Sequence, residues 1–311
     1  MTKTKLTGAE SFSCSIGELM DLEFADEDFI IQDILPCHGR AMLFGDTGAA
    51  KTQLALTLAI NVIRGEPFLD KYTTKRGKVV YIAVGDMPAA ELKSKVQRLR
   101  QELNAEEKEA IKLVYLPDSI DIIEEVKRSK SWLRDEITDF NQVLIIVDIV
   151  SQTHTGDENK PGIAGPVYNS WRKLCNCPTG PGILFIHHEK KPPLDMTGYD
   201  RKYAFSGHLQ WISLTSTAMC IIQKKNSEER EFQVVKPRNM RKPPPIALEL
   251  DEQTLLCYPL SGHPTKHWVQ RQMRNNMPKE AIIVGAQDMQ KWPKGIPARS
   301  TLYGWLEGYE K

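Results

Sequence analysis

The residues best suited to chemistry stand in one short segment, residues 45–52. It reads, in order, Gly45, Asp46, Thr47, Gly48, Ala49, Ala50, Lys51 and Thr52. This spacing is typical of a phosphate-binding loop, in which backbone N–H groups surround the phosphates, the lysine adds positive charge and the hydroxyl binds Mg²⁺. We therefore predict that Lys51 and Thr52 bind phosphate and metal. The alternative is a glycine-rich turn without a ligand.

One position of this loop departs from the usual pattern, in which a glycine precedes the lysine. Ala50 stands there instead. Alanine is small, and it is tolerated if the residue already has helical backbone dihedrals.

A second chemical signal is Asp148, which follows the apolar run of residues 143–147. A buried strand that ends in a carboxylate suits a Mg²⁺ site, because ligands of open α/β sheets lie outside the carboxyl ends of the strands. We predict that Asp148 supports the metal, directly or through a water molecule. The alternative, an aspartate that caps a turn, is less favoured because a phosphate loop lies upstream.

Two further groups stand at predicted strand ends. His187 and His188 follow an apolar run, and a polar group beside the phosphate loop can contact a γ-phosphate. Lys236 and Arg238 project from one face of an extended segment, where they could reach the nucleotide of an adjacent subunit. From the residues alone, a solvated basic turn is the preferred interpretation of the lysine and the arginine.

Apolar runs and helical spacings alternate along the chain and supply the elements that position these residues. Predicted strands cover residues 41–44, 78–84, 111–116, 143–147, 183–186, 231–236 and 246–250, and residues 211–223 are β-rich. Predicted helices cover residues 53–63, 89–103 and 120–139. This alternation predicts an α/β fold with a parallel central sheet flanked by helices.

The pattern divides the chain into three parts. Residues 1–26 are a polar tail or short helix, residues 27–258 form the core, and residues 259–311 form a small basic module. Its predicted helices cover residues 267–275, 281–289 and 300–306, the last with Ser300 as N-cap. A helix-turn-helix-like module that binds duplex DNA or a partner protein is one interpretation. A helical tail that packs on the core or on a neighbouring subunit is the other.

Composition bounds the class of protein. The 311 residues carry 41 basic and 40 acidic side chains, and 41% are hydrophobic, which argues against a strongly basic tail protein and against disorder over most of the length. The net charge of +1 hides an uneven distribution, because residues 261–311 carry +4. Six scattered cysteines and no run of roughly 18 apolar residues predict a cytoplasmic protein with no membrane partner.

The order of these segments resembles the RecA-type, AAA-type ATPases related to the plasmid replicative helicase RepA, and more distantly the DnaB-type helicases. The resemblance spans residues 28–250. The matching pieces are residues 34–36, the phosphate loop, and residues 64–69, 79–82, 147–148, 156–159, 187–188, 206–207 and 236–238. The resemblance implies a RecA-like P-loop NTPase core that uses ATP and Mg²⁺. It also implies a ring-shaped hexamer that binds single-stranded DNA in plasmid, phage or mobile-element replication.

Carried over by position, the resemblance implies that His187 senses the γ-phosphate and that Lys236 and Arg238 act on a neighbour's ATP. Residues 151–168 and 189–205 would be loops facing the channel. The second loop interleaves cations with aromatic rings, a composition that suits single-stranded DNA. Its predicted DNA-binding residues are Lys190, Lys191, Arg201, Lys202 and Tyr203, with Tyr199 and Phe205 as further rings. The alternative is an exposed connection without a ligand.

One departure from the family concerns hydrolysis. The family ends the second strand with a glutamate that activates the attacking water, and Gly85 stands there, followed by Asp86. Either Asp86 takes that role or hydrolysis is slow or absent, because a misplaced base can cost on the order of a hundredfold. Glu91, further into the helix, is a weaker candidate. An ATP-gated assembly or regulatory protein is thus the alternative to a motor, and a small-molecule kinase is less favoured because no acceptor lid is visible.

Overall fold

The computed structural model describes most of the chain. The described residues are 13–21, 28–85, 87–99, 102–175, 180–189, 205–223, 229–238, 240–251, 254–260, 269, 272–273, 277–288 and 298–309. The strands are β1 (Phe29–Ile31), β2 (Leu35–Pro36), β3 (Arg40–Gly45), β4 (Val79–Val84), β5 (Ile111–Leu116), β6 (Leu144–Asp148), β7 (Gly182–His188), β8 (Thr217–Gln223), β9 (Arg230–Lys236), β10 (Ile246–Leu250) and β11 (Cys257–Pro259). The helices are α1 (Ile16–Asp21), α2 (Lys51–Arg64), α3 (Ala89–Arg98), α4 (Ala105–Glu109), α5 (Ile122–Glu125), α6 (Trp132–Thr138), α7 (Ala164–Leu174), α8 (Gln210–Ser213), α9 (Lys279–Asp288) and α10 (Arg299–Tyr309).

A nine-stranded sheet forms the centre of the molecule, in the order β11-β10-β9-β8-β3-β7-β6-β4-β5. The strands from β8 to β5 pair in parallel, and β9, β10 and β11 extend the sheet antiparallel. Every residue of β4 is buried, as expected for a parallel strand covered on both faces. The structure confirms the predicted α/β fold.

Each face of the sheet carries its own hydrophobic core. On one face, α2 packs through Leu54 and Leu58 against residues such as Ile146. On the other face, α7 packs through Trp171 against residues that include Ile145. Neighbouring residues of a strand point to opposite faces, so adjacent positions belong to different cores. The same alternation sends the side chains of His187 and His188 in β7 toward opposite faces of the sheet.

Several helices differ from their predicted bounds. The helix predicted over residues 89–103 ends at Arg98, and a capping box between Asn104 and Glu107 starts α4. The helix predicted over residues 120–139 is two short helices, whose N-caps are Asp121 and Ser131. A side-chain oxygen that accepts a hydrogen bond from a backbone N–H starts a new helix. These caps therefore produce separate short helices where the hydrophobic spacing predicted one long helix.

Two segments contain helices that the sequence pattern did not predict. Residues 151–168, expected as a channel loop, include a 3₁₀ helix (Val150–Thr153) and the start of α7. Tyr168 is fully buried and donates a hydrogen bond to the Trp211 carbonyl at 2.7 Å, so the end of this segment is core. The β-rich segment 211–223 begins within α8 and becomes β8 only at Thr217.

The described part of the C-terminal region is helical. Residues of α9 and α10 form a separate hydrophobic cluster that includes Ile282 and Leu302. Of the helix predicted over residues 267–275, residues 269, 272 and 273 are described, and all three are helical. Ser300 lies inside α10 and is therefore not its N-cap. Within the described ranges, no helix is long and apolar enough to cross a membrane.

Candidate nucleotide-binding site

The predicted phosphate loop lies at the carboxyl end of β3, before α2. The Thr47 N–H donates to Asp46 Oδ1 at 2.8 Å, and the Ala49 N–H donates to the Asp46 carbonyl at 3.1 Å. Gly48 has φ +81°, and a Cβ added there would meet no atom within 4 Å. At Gly45, by contrast, a Cβ would lie 2.4 Å from the Ile221 carbonyl oxygen. One glycine thus permits the turn and the other permits close packing against β8.

Ala50 does not have the helical dihedrals under which an alanine would be tolerated without strain. It has φ 76° and ψ 34°, in the left-handed region. That conformation costs a non-glycine residue about 1–2 kcal/mol. Ala50 is 6% exposed and packs in the core beside α2. The loop therefore keeps a glycine-type backbone at a position without glycine.

Lys51 opens α2 and is 8% exposed. Its Nζ donates to the carbonyl oxygens of Gly45 at 3.1 Å and of Asp46 at 3.0 Å, so the ammonium group lies over the loop. No side chain caps the N-terminus of this 14-residue helix. Backbone N–H groups and the positive end of the helix dipole therefore face the same space as the ammonium group, an arrangement that favours an anion.

Thr52 and Asp148 meet at the ends of two different elements. Thr52 Oγ1 donates to Asp148 Oδ2 at 2.8 Å. The same carboxylate oxygen accepts a hydrogen bond from the Tyr81 hydroxyl at 2.5 Å. Burial, together with the negative charge of Asp148, raises the pKa of Tyr81 well above its ordinary value. The tyrosine therefore stays protonated and orients the carboxylate, a role that no motif of the sequence indicated.

These residues surround one cavity of about 370 Å³. Its lining consists of Thr47, Gly48, Ala50, Lys51, Thr52, Gln53, Met87, Glu91, Lys95, Asp148, Ile149 and His188. The structure thus brings together the phosphate loop and Asp148 as predicted. It adds Glu91 and Lys95 from α3, which sequence reasoning ranked low or missed because they stand well beyond the end of β4.

The donor set of this cavity fits a magnesium nucleotide. The Thr52 hydroxyl and the Asp148 carboxylate are hard oxygen donors of the kind that Mg²⁺ prefers. Lys51 supplies a cation beside them, and the open space at Gly48 leaves room for a phosphate. Thr52 would be a direct ligand of the metal, and Asp148 would act directly or through a water molecule.

The two histidines of β7 face opposite sides of the sheet. His188 lines the cavity. His187, expected to be the phosphate sensor, is fully buried on the other face, with its ring centroid 5.6 Å from that of Trp211. Its Nδ1 accepts from the His188 N–H at 2.8 Å, and its Nε2 lies 3.6 Å from Glu158 Oε2. Burial above all lowers the pKa of His187 to about 3, so the ring is neutral at physiological pH.

Glu158 connects His187 to the chain around the predicted DNA loop. Its carboxylate accepts a hydrogen bond from the Ser206 hydroxyl, and its carbonyl accepts from the His208 N–H at 2.8 Å. An antiparallel bridge between Glu189 and Phe205 brings the two ends of that loop together. The predicted DNA-binding residues lie outside the described ranges; they are Lys190, Lys191, Arg201, Lys202 and Tyr203.

Phe205 does not belong among the rings available for base stacking. It is 2% exposed and packs edge-on against Phe44, with 6.1 Å between ring centroids. The described end of the loop is thus anchored in the core.

Lys236 and Arg238 lie at the opposite edge of the sheet from the cavity. Because β9 runs antiparallel to β8, its C-terminal end lies beside the amino ends of β3 and β8. The six residues of β3 put about 20 Å between this edge and the phosphate loop. Neither side chain therefore reaches the chain's own cavity.

The contacts of these two cations differ. Lys236 Nζ donates to three carbonyls at the end of α8, those of Ile212 and Ser213 at 3.0 Å and that of Thr215 at 2.5 Å. Burial lowers the pKa of Lys236. Arg238 Nη1 donates to the Ser216 hydroxyl at 3.1 Å. Lys236 thus makes more hydrogen bonds within its own chain than the sequence-based interpretation, a solvated basic turn, implied.

Gly85 occupies the place of the family's glutamate with a backbone that disfavours one. Its φ is +61°, and a Cβ added there would lie 3.3 Å from both Gln152 Oε1 and the Ser119 nitrogen. A glutamate would meet both strain and crowding. Asp86, the predicted substitute, lies outside the described residues.

Comparisons with known proteins identify the family and the fold. A family profile described as an AAA domain matches residues 13–193. The RadB recombinase structure is 14% identical, with a TM-score of 0.50, over 79% of this chain and 96% of that chain. A KaiC-like protein from the hyperthermophilic archaeon Pyrococcus horikoshii OT3 is also 14% identical, with a TM-score of 0.46, over 74% and 94% of the two chains. The RadB comparison confirms the RecA-like fold.

Proposed function

The chain belongs to the AAA domain family, and from that premise we propose that it is a RepA-like helicase or translocase that hydrolyses ATP on single-stranded DNA. The observation that carries the proposal is the convergence of Lys51, Thr52 and Asp148 on one cavity beside His188. A buried cation, a hydroxyl–carboxylate pair and a strand-end polar group are among the parts that phosphoryl transfer uses.

Each side chain has a distinct part in the proposed reaction. Lys51 would exchange its carbonyl partners for phosphate oxygens, and Thr52 and Asp148 would hold Mg²⁺, which neutralises charge on the phosphates. His188 would contact the γ-phosphate. We assign the sensing contact to His188 because it lines the cavity. The role that we assign to His187 is to position His188, from whose N–H it accepts a hydrogen bond.

The opposite edge of the sheet supports an assembled ring. Arg238 lies about 20 Å from its own phosphate loop, too far to contact its own ATP, and this separation supports a role at the ATP of a neighbouring subunit. We propose a homohexamer in which this edge faces the cavity of the next subunit. Lys236 would join Arg238 there if it left the α8 carbonyls.

The route from nucleotide to DNA would run through His187 and Glu158. Glu158 contacts the segment that closes the predicted DNA loop, and His187 adjoins the residue at the phosphate. The cations and rings at residues 190–203 would bind the phosphates and bases of single-stranded DNA. The small C-terminal module would bind duplex DNA, a partner protein or a neighbouring subunit.

The first experiment measures ATP binding and phosphate release with and without single-stranded DNA, using Lys51→Ala as the control. We expect Mg²⁺-dependent binding that Lys51→Ala weakens at least about tenfold, and DNA-stimulated hydrolysis. Electron micrographs of the nucleotide-bound protein should show rings. Equal ATP binding by wild type and Lys51→Ala would refute the proposal.

A second function is favoured by Gly85. The left-handed backbone there disfavours a glutamate, and without one the protein would bind ATP tightly and hydrolyse it little, as an assembly or regulatory switch. Tight nucleotide binding, with phosphate release no faster than that of Lys51→Ala even on DNA, would establish this alternative over the motor.

A further inference from the structure

The cavity lining contains a second carboxylate, Glu91, which from the sequence was a weaker candidate than Asp86 for activating the attacking water. Glu91 stands in the first turn of α3 and lines the cavity together with Asp148. Among the described lining residues, these two are the acidic ones. Asp148 accepts hydrogen bonds from Thr52 and Tyr81, which commits it to the metal side of the cavity.

The first turn of α3 is held firmly in place. Leu92 is 2% exposed and packs in the core beneath the helix. The Tyr115 hydroxyl donates to the Met87 carbonyl at 3.2 Å, which ties the turn before α3 to β5. Glu91 is therefore carried by an ordered element rather than by a free loop.

Lys95 holds the Glu91 carboxylate at the cavity. Its Nζ lies 2.5 Å from Glu91 Oε1, one helical turn away, and its side chain is 18% exposed. Lys95 Nζ also lies 3.7 Å from Met87 Sδ. Lys95 is the more buried member of this pair, whereas the Glu91 side chain is 53% exposed and lines the cavity, so its carboxylate is accessible to water.

Resting on the proposed function, we propose that Glu91 is the base that activates the attacking water, in place of the family's glutamate. The water oxygen forms a bond to the γ-phosphorus while the bond from that phosphorus to the β–γ bridging oxygen breaks. The bridging oxygen leaves with the electron pair as part of ADP, and the water's proton passes to the Glu91 carboxylate. Lys95 is a positioning residue that holds this carboxylate at the cavity.

The test compares Glu91→Gln with Asp86→Asn in single-turnover hydrolysis, with ATP binding measured separately. We expect Glu91→Gln to lower the rate of the chemical step at least about a hundredfold while ATP affinity changes by less than about threefold. Asp86→Asn is expected to cost less, at most about tenfold. Glu124→Gln removes a comparable ion pair, with Lys127, outside the cavity lining and is the matched control expected to leave the rate unchanged.

A Glu91→Gln rate close to that of wild type, or a larger loss in Asp86→Asn, would overturn the assignment. If wild type binds ATP but releases phosphate no faster than Lys51→Ala, nucleotide binding stands and the role of Glu91 is refuted. If wild type binds no more ATP than Lys51→Ala, the proposed function itself fails. The binding measurement thus separates the two failures.

Discussion

Thr52 Oγ1 donates a hydrogen bond of 2.8 Å to Asp148 Oδ2 across 96 positions of sequence. The hydroxyl stands at the start of a helix and the carboxylate at the end of a strand. Neither local sequence pattern predicts that the two groups meet. Their meeting follows from the sheet order, which puts the ends of β3 and β6 on the same edge with only β7 between them. This pair marks the side of the cavity where we propose that Mg²⁺ binds.

The Tyr81 hydroxyl, which donates to the same carboxylate oxygen, offers the first prediction. Tyr81→Phe removes one hydrogen bond and keeps the buried ring. We expect Mg²⁺-dependent ATP binding or hydrolysis to weaken about tenfold, as is usual when a group that orients a metal-binding residue is lost. A titration of Mg²⁺ at fixed ATP measures the effect. An unchanged titration would show that Asp148 needs no support from Tyr81.

A second prediction concerns the left-handed backbone of Ala50. In Ala50→Gly, relief of strain offsets the lost methyl burial and the greater flexibility of glycine, so the free energy of unfolding should change by less than about 0.5 kcal/mol. The same substitution at Ala59, inside α2 and fully buried, should cost about 2 kcal/mol. Urea unfolding compares the two. Equal losses would contradict the left-handed conformation.

Acid should destabilise the protein through His187. Its pKa is about 3 when folded and near 6.5 when unfolded, so the unfolded chain binds one more proton between these values. The stability that the neutral His187 ring contributes is fully present above pH 6.5 and is lost as pH falls toward 3. At pH 4–5 this histidine should contribute a slope of about 1.4 kcal/mol per pH unit. Urea unfolding of His187→Gln across this range should show a slope smaller by that amount, whereas a purely structural effect would shift all values equally.

Lys236 and Arg238 should differ in their effect on stability. Lys236→Met leaves the Ser213 and Thr215 carbonyls without the ammonium donor. The Ile212 carbonyl keeps its bond from the Thr215 hydroxyl, and we expect the free energy of unfolding to fall by about 1.5–3 kcal/mol. Arg238→Met removes a bond to the Ser216 hydroxyl, a side chain that is only half-buried, and should cost less than about 1 kcal/mol. Urea unfolding of both variants tests the difference, and equal losses would contradict it.

The proposed action of Arg238 on a neighbouring subunit's ATP can be tested by mixing two variants in equal amounts. Lys51→Ala and Arg238→Ala should each be inactive alone. When the two are mixed, about a quarter of the interfaces in a closed ring pair an intact phosphate loop with an intact arginine. Phosphate release should therefore reappear in the mixture at a corresponding fraction of the wild-type rate. A mixture as inactive as its components would place the arginine outside the neighbour's site.

Much of the fold and part of the site could be predicted because their signals are contiguous. The run of residues 45–52 contains its loop glycines, its cation and its hydroxyl together, and the apolar run before Asp148 identifies a strand end. Alternating strands and helices also predicted the α/β fold that the sheet order shows. Such patterns depend on neighbours in the chain, so no tertiary information is needed to read them.

The rest was decided by tertiary structure. His187 and His188 are adjacent in sequence, and the pleat of β7 sends one ring into the core and the other to the cavity. Glu91 reaches the cavity because α3 packs back over the sheet after β4. The spacing of apolar residues in the sequence does not predict the direction of that helix. Arg238 is separated from its own phosphate loop because β9 runs antiparallel to β8. The sequence by itself determined which chemical groups are present; the packing of the sheet determined which of them share one cavity.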